Sequence, residues 1–118
     1  MTEIKAPVTI AEIFEKLERG IAKFPEDVKE IDATYQFLIS GEQALAVHVN
    51  LKDNPKVLYG EFESECTIRA KDRDFLKVYR GVTPGFKAVL SGKLKVSGKL
   101  ELATKLGEVF DRARGKKR

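Results

Sequence analysis

The chain has 118 residues, of which 42% are hydrophobic and 34% charged, a balance that predicts one globular domain over residues 1–118 and excludes a disordered chain. A lone cysteine, Cys66, excludes an internal disulfide and favours a reducing compartment, so we expect a cytoplasmic protein. The formal net charge is +4, its excess lies in a basic tail over residues 111–118, and no apolar run approaches the ~20 residues that span a bilayer.

Two helices are the first predicted elements. Thr9 and Glu12 have the spacing of a capping box, and apolar residues then recur at helical spacing as far as Phe24. Pro25 suits the first position of a short second helix that runs to Ile31.

The apolar period then changes to alternation, which predicts a β-meander. Its strands cover residues 33–40, residues 45–51 and a third segment from Val57 to about Phe62, and a fourth strand covers residues 66–70. The inward phase of these strands contains Cys66 and the candidate site residues Phe37, Ile39, Val47, Val49 and Ile68. The only histidine, His48, lies on the opposite phase, so we expect it to be exposed.

Helices and one strand make up the rest of the chain. Asp72 is the expected N-cap of a helix that ends at Gly81, and Pro84 begins another that ends at Gly92. A fifth strand follows, and after it a final helix. The side chains expected to point inward from these elements are Phe75, Tyr79, Phe86, Val89, Leu90, Leu94, Val96, Leu102, Ala103, Leu106, Val109 and Phe110.

Catalytic and metal-binding patterns are missing from this sequence. A general base needs a partner and a pocket, and a metal site needs several ligands at short spacing, which one histidine and one distant cysteine do not supply. Asp72 and Asp74 are explained by the helix dipole, and no phosphate-binding glycine motif is present. We therefore expect no enzyme, no catalytic residues, no cofactor and no metal.

The basic tail leaves several interpretations open. It is either a solubilising end or a contact for nucleic acid, anionic lipid or a phosphorylated ligand. Single-strand binders present exposed aromatic side chains for bases to stack on, whereas the phenylalanines here belong to inward phases. Nucleic-acid binding is therefore not expected.

Several strings, in order, resemble the sterol carrier protein type 2 (SCP-2) domain family. They are VNLKD at 49–53, CTI at 66–68, DRDFL at 72–76, GKLKVSG at 92–98 and ATKL at 103–106. The resemblance implies an α+β fold, with a five-stranded, mostly antiparallel sheet whose helices cover one face. It also implies a hydrophobic tunnel between the sheet and the helices that binds fatty acids, fatty acyl-CoA, or sterol or isoprenoid-like lipids.

With this resemblance, fourteen of these inward residues become candidates for the tunnel lining: Phe37, Ile39, Val47, Val49, Ile68, Phe75, Tyr79, Phe86, Leu90, Leu94, Leu102, Ala103, Leu106 and Phe110. Within them, Leu102, Ala103, Leu106 and Phe110 of the final helix are expected to contact the lipid and to act as a lid. Arg112, Arg114 and Lys116 are expected to meet headgroup or CoA phosphates and, transiently, an anionic membrane surface. We expect a monomer or a weak dimer.

Further expectations concern the ends of the chain. We expect no signal peptide and no attached catalytic domain, and the ending GKKR is unlike a peroxisomal address. The alternative is a solidly packed accessory module of a lipid or quinone pathway, because core and tunnel residues have the same chemistry and differ only in packing density.

Overall fold

The structure, a computed structural model, describes residues 8–115. Its helices are α1 (Ile10–Lys23), α2 (Pro25–Lys29), α3 (Asp72–Tyr79), α4 (Gly85–Leu90) and α5 (Leu106–Ala113), and a 3₁₀ helix (Leu100–Lys105) precedes α5. Its strands are β1 (Thr34–Ser40), β2 (Leu45–Asn50), β3 (Lys56–Tyr59), β4 (Cys66–Lys71) and β5 (Leu94–Gly98). Within this range no helix is long and apolar enough to cross a bilayer.

The five strands form one sheet in the order β3-β2-β1-β4-β5. All neighbouring strands are antiparallel except β1 and β4, where Phe37 lies beside Ile68 in a parallel pair. The predicted α+β fold with a mostly antiparallel sheet is therefore confirmed. Helix α1 begins as expected, because Thr9 Oγ1 accepts a hydrogen bond from the Glu12 backbone at 3.1 Å and the Glu12 carboxylate accepts one from the Thr9 backbone at 3.0 Å.

The centre of the helix-covered face is packed with aromatic rings. The Phe37 ring lies 5.0 Å from that of Phe14 on α1, 5.9 Å from that of Phe75 on α3 and 6.2 Å from that of Tyr35. The Tyr35 hydroxyl donates a 2.7 Å hydrogen bond to the Leu102 carbonyl. These side chains are almost fully buried, so the middle of the sheet is a dense core.

His48 corrects one expectation, because it is only 6% exposed. Strand β3 ends at Tyr59 rather than near Phe62, and the segment that follows crosses the outer face of the sheet. There His48 Nδ1 lies 2.8 Å from Ser64 Oγ, and the Phe62 ring lies 5.1 Å from the imidazole. The alternation placed His48 on the correct face, but a loop covers that face.

Helix α4 corrects a second expectation. Phe86, Val89 and Leu90 were expected to point inward, yet Phe86 is 65% and Leu90 is 83% exposed, and Ala88 is the buried residue. The Lys93 backbone donates to the Ala88 carbonyl at 2.8 Å, which holds the small Ala88 side of α4 towards the molecule. A six-residue helix has too few turns for its apolar spacing to determine which side is buried.

Smaller corrections concern the ends of helices. Asp72 is the first residue of α3 rather than its N-cap, and its carboxylate accepts hydrogen bonds from the backbones of Gln43 and Arg73. Helix α2 ends at Lys29. The expected single final helix is a 3₁₀ turn followed by α5, which reaches Ala113. The predicted tail at residues 111–118 therefore begins inside a helix.

Candidate functional site

A cavity of about 260 Å³ lies between α3, α5 and the strands β4 and β5. An engineered apolar cavity of about 150 Å³ is large enough to bind benzene, so this space is large enough for part of a hydrocarbon chain. Mostly apolar side chains line it: Ile68, Phe75, Val78, Tyr79, Leu94, Leu106, Gly107, Phe110, Asp111 and Arg114.

Three residues of α3 and four of α5 form the two walls of this cavity. Phe75, Val78 and Tyr79 follow the i, i+3, i+4 spacing that puts side chains on one helix face. From α5, Phe110 meets Tyr79 edge-on with 5.6 Å between the ring centroids. The cavity floor is the sheet, where Ile68 and Leu94 come from adjacent strands.

One edge of the cavity is polar. Arg114 donates to the Tyr79 hydroxyl and to an Asp111 carboxylate oxygen, each at 3.3 Å, and its guanidinium carbon lies 5.7 Å from the centroid of the Tyr79 ring. The Arg114 side chain is 45% exposed. A cation at the edge of an apolar cavity can meet the carboxylate of a chain whose hydrocarbon lies inside.

A second groove, of about 450 Å³, adjoins this edge between α1 and α5. It shares Tyr79, Phe110 and Arg114 with the cavity. Its α1 side presents three cations, namely Lys16, Arg19 and Lys23. An apolar space therefore continues into a cationic one.

The structure brings six of the fourteen predicted lining residues to the cavity: Ile68, Phe75, Tyr79, Leu94, Leu106 and Phe110. Four others, Phe37, Ile39, Val47 and Val49, are buried in the core and do not line this cavity. Leu102 is buried and Ala103 packs against the core beside it. Phe86 and Leu90 face away from the interior, so their expected inward placement is wrong.

The three predicted headgroup residues have different surroundings. Arg114 lies at the polar edge of the cavity. Arg112 instead donates to the Asp27 carbonyl at 2.8 Å and pairs with Glu30 and Glu108, which raise the pKa of its guanidinium. These contacts join α5 to α2 and leave Arg112 little freedom to meet a ligand. Lys116 lies outside the described residues.

Val78, Gly107 and Asp111 also line the cavity and were not predicted from the sequence. Apolar spacing was sufficient to predict Val78, because it lies three residues after Phe75 on the same helix face. Gly107 lines the cavity by having no side chain: a Cβ added there would meet nothing within 4 Å. A space left by an absent side chain has no signal in apolar periodicity.

Reactive groups lie elsewhere in the part of the chain that is described. Cys66 is buried, as predicted, and burial raises the pKa of its thiol, with Glu101 adding to the effect. The imidazole of His48 is on the other face of the sheet from the cavity. Among residues 8–115, no three His, Cys, Asp or Glu side chains are grouped so that they could hold a metal ion.

Comparison with known proteins gives the family. The profile of the SCP-2 sterol transfer family matches residues 14–111. This chain belongs to that family, whose domains are non-catalytic and bind lipids. The resemblance in the sequence strings is thereby confirmed.

Solved SCP-2 structures share the fold over nearly the whole chain. Sterol carrier protein 2 of Yarrowia lipolytica in its apo form superposes with a TM-score of 0.81 at 17% identity, covering 97% of this chain and 98% of that one. Palmitated SCP2L2 of Aedes aegypti has a TM-score of 0.68 at 26% identity, covering 87% of this chain and 95% of that one.

A curated SCP-2 relative is much longer than this chain. Hydroxysteroid dehydrogenase-like protein 2 of Xenopus laevis is 32% identical over 110 residues, which cover 91% of this chain and 26% of that protein. The chain thus spans about a quarter of this relative.

Proposed function

We propose that this SCP-2 domain binds the hydrocarbon chain of a fatty acid or fatty acyl group in the cavity between α3, β5 and α5, and transfers it between membranes. The observation that carries the proposal is the cavity itself, an apolar space of about 260 Å³ beside a packed core. A relative at 26% identity with the same fold is a palmitated protein, which supports a fatty-acid ligand over a sterol.

Removing a hydrocarbon chain from water gains about 0.8 kcal/mol per methylene. Withdrawing the same chain from a bilayer costs a similar amount, so exchange between membrane and cavity is nearly balanced. A carrier needs that balance, because a ligand held far more tightly than the membrane holds it would not be released.

The polar end of the ligand has a complementary place in this proposal. The Arg114 guanidinium at the cavity edge would donate hydrogen bonds to the carboxylate of a fatty acid. Lys16, Arg19 and Lys23 in the adjoining groove suit the phosphates of an acyl-CoA. This arrangement orients the chain with its methyl end towards Leu94 and its charged end towards α1.

Access to the cavity is proposed at the start of α5. The end of α5 is held by the contacts of Arg112 with α2, whereas its first residues follow a six-residue 3₁₀ helix. Long 3₁₀ segments have poorer hydrogen-bond geometry than α-helices and often mark hinges. The open space at Gly107 lies beside this hinge.

Filling the cavity tests the proposal. Leu106→Trp places a large ring at a half-buried lining position, and Leu100→Trp makes the same change at a position that is 60% exposed and outside the cavity. We expect Leu106→Trp to weaken palmitate binding at least about tenfold, the equivalent of about 1.4 kcal/mol, in titrations with a fluorescent fatty acid displaced by palmitate. Leu100→Trp should bind as the unmodified chain does. Equal affinity for all three proteins, or no palmitate binding by the unmodified chain, would refute the proposal.

A second candidate function is a packed accessory module within a larger lipid-metabolising assembly. The dense aromatic centre of the sheet and the quarter-length match to a longer relative favour it. Mass spectrometry of organic extracts of the purified protein separates the two functions. A carrier retains lipid through purification, and a packed module yields none.

A further inference from the structure

Helix α4 and Val82, which precedes it, present an apolar surface that does not pack against the core. Val82 is 67%, Phe86 65%, Val89 43% and Leu90 83% exposed, and we refer to these four side chains as the α4 surface. Large apolar side chains exposed together, unlike scattered single ones, indicate a surface that contacts something apolar.

A strongly basic groove of about 720 Å³ adjoins the α4 surface. A single carboxylate, that of Asp74, lines this groove. The six cations of the groove come from β4, from α3 and from β5 with the residue before it: Arg69, Lys71, Arg73, Lys77, Lys93 and Lys95. Within residues 8–115 none of these six side chains takes part in an ion pair shorter than 4 Å.

Backbone hydrogen bonds join the two features directly. The Lys77 carbonyl accepts from the backbones of Val82 and Thr83 at 2.8 and 3.1 Å, and the Lys93 backbone donates to Ala88 of α4 at 2.8 Å. The groove residues Lys77 and Lys93 therefore lie before and after the segment that carries the α4 surface.

We propose that the α4 surface and the basic groove together form a docking surface for membranes that contain anionic lipids. Apolar side chains of α4 enter the boundary between headgroups and acyl chains, while the cations of the groove hold lipid phosphates and carboxylates. Charge complementarity selects this occupant. A single-stranded nucleic acid would need aromatic rings in the basic groove for stacking, and a nucleic acid of any kind would leave the apolar side chains of the α4 surface unused. A purely apolar partner would leave the six cations without a partner.

The docking surface is next to the proposed ligand cavity. In β5, Leu94 lines the cavity, whereas Lys95 and the preceding Lys93 line the groove from the other face of the strand. On α3, Val78 lines the cavity and Lys77 lines the groove. The cavity and the docking surface therefore share β5 and α3, and docking brings these two elements to the membrane. The inference thus deepens the proposed function by naming its partner surface, and in doing so it rests on that function.

Vesicle sedimentation tests the docking surface with matched variants. The probes are vesicles of phosphatidylcholine alone and of phosphatidylcholine with phosphatidylserine, at low and at high salt. Phe86→Ser with Leu90→Ser removes the apolar part, and Leu100→Ser is its control at another exposed leucine. Lys77→Glu with Lys93→Glu reverses two charges of the groove, and Lys56→Glu on β3, at the opposite edge of the sheet, is its control.

We expect the unmodified protein to sediment with phosphatidylserine vesicles more than with phosphatidylcholine vesicles, and less at high salt. Each cation near an anionic surface strengthens binding about fivefold, so Lys77→Glu with Lys93→Glu should lose about twenty-five-fold or more. Phe86→Ser with Leu90→Ser should lose about tenfold or more, because two large apolar side chains no longer leave water on docking. Both controls should bind normally. Equal binding to both vesicle types, or losses in the controls as large as in the double variants, overturns the proposal. A dimer that the apolar double variant dissociates in analytical ultracentrifugation, or tighter binding to an oligonucleotide than to the vesicles, also overturns it.

Failure of the docking surface can be told apart from failure of the ligand site. Palmitate affinity without vesicles should be unchanged in both double variants, because none of the four substituted residues lines the cavity. Conversely, Leu106→Trp should lose palmitate and keep vesicle binding.

Discussion

His48 lies on the outer face of the sheet, where residues after β3 cover it. Its imidazole contacts Phe62 and Ser64, and burial lowers the pKa of His48 below its ordinary value of 6.5. Nearby, the buried Gln36 accepts from the Phe62 backbone at 2.9 Å and donates to the Gly60 carbonyl at 2.9 Å. The two hydrogen bonds of Gln36 hold the segment that covers His48 in place. His48 therefore has a structural role on the face opposite the candidate site.

The pKa of His48 predicts an acid-sensitive contribution to stability. Well above pH 6.5 the imidazole is neutral in both states, and as the pH falls through that value the unfolded chain takes up a proton that the folded chain resists. The free energy of unfolding should therefore fall between about pH 7 and pH 5.5, and urea denaturation at each pH measures it. His48→Gln should show a smaller fall over the same range. A fall as large in the variant as in the unmodified chain would assign the effect to other groups.

At the scale of elements, α1 and α5 approach each other so closely that a side chain is excluded. A Cβ added at Gly20 would overlap the backbone oxygen of Ala113 and lie 2.8 Å from its Cβ. Arg112 adds a second attachment by bonding to Asp27 and Glu30 of the α2 region. Helix α5 is thus held at its C-terminal end.

Gly20→Ala should destabilise the protein although alanine is the better helix former. Alanine in a helix interior gains up to about 1 kcal/mol over glycine, but overpacking at the α1–α5 contact costs about 1–3 kcal/mol, so we expect a net decrease in the free energy of unfolding. Gly107→Ala is the matched control, because a Cβ there meets nothing within 4 Å. It should raise stability slightly in the same urea titrations. A stability gain at both positions would contradict the close approach of α1 and α5.

The whole molecule divides into a packed centre and a hollow end. Aromatic rings fill the space between α1, α3 and the middle of the sheet, and the cavity opens where α5, α3 and β5 meet. A ligand that occupies this end binds the folded state alone, because the walls come from segments far apart in the chain. Binding is therefore linked to folding.

Palmitate should raise the stability of the whole domain by that linkage. At a free concentration of about one hundred times its dissociation constant, a ligand that binds only the folded state adds about 2.7 kcal/mol to the free energy of unfolding. Thermal unfolding with and without palmitate measures the shift, which should be absent in Leu106→Trp. A shift of the same size in that variant would place the ligand outside the cavity.

Local patterns predicted the strands and the long helix well. Alternation of apolar residues placed Tyr35, Phe37 and Val49 on the buried face, and a capping box located the start of α1. These signals succeed because a strand or a long helix repeats its inward direction several times, so many residues agree on one face. The strings that resemble the SCP-2 family added the single, mostly antiparallel sheet with its helices on one face, whereas the strand order came only from the structure.

What the sequence by itself determined is the set of elements, the apolar face of the sheet and the family. Only the tertiary structure decided that α4 turns Phe86 and Leu90 outward, that a loop buries His48, and that the space beside Gly107 is empty. The physical reason is that periodicity reports the preference of each side chain for burial, whereas exposure and cavities depend on which distant segment comes to cover it. Six of the residues expected in the tunnel line the cavity and the others do not, because packing density is a property of several elements together.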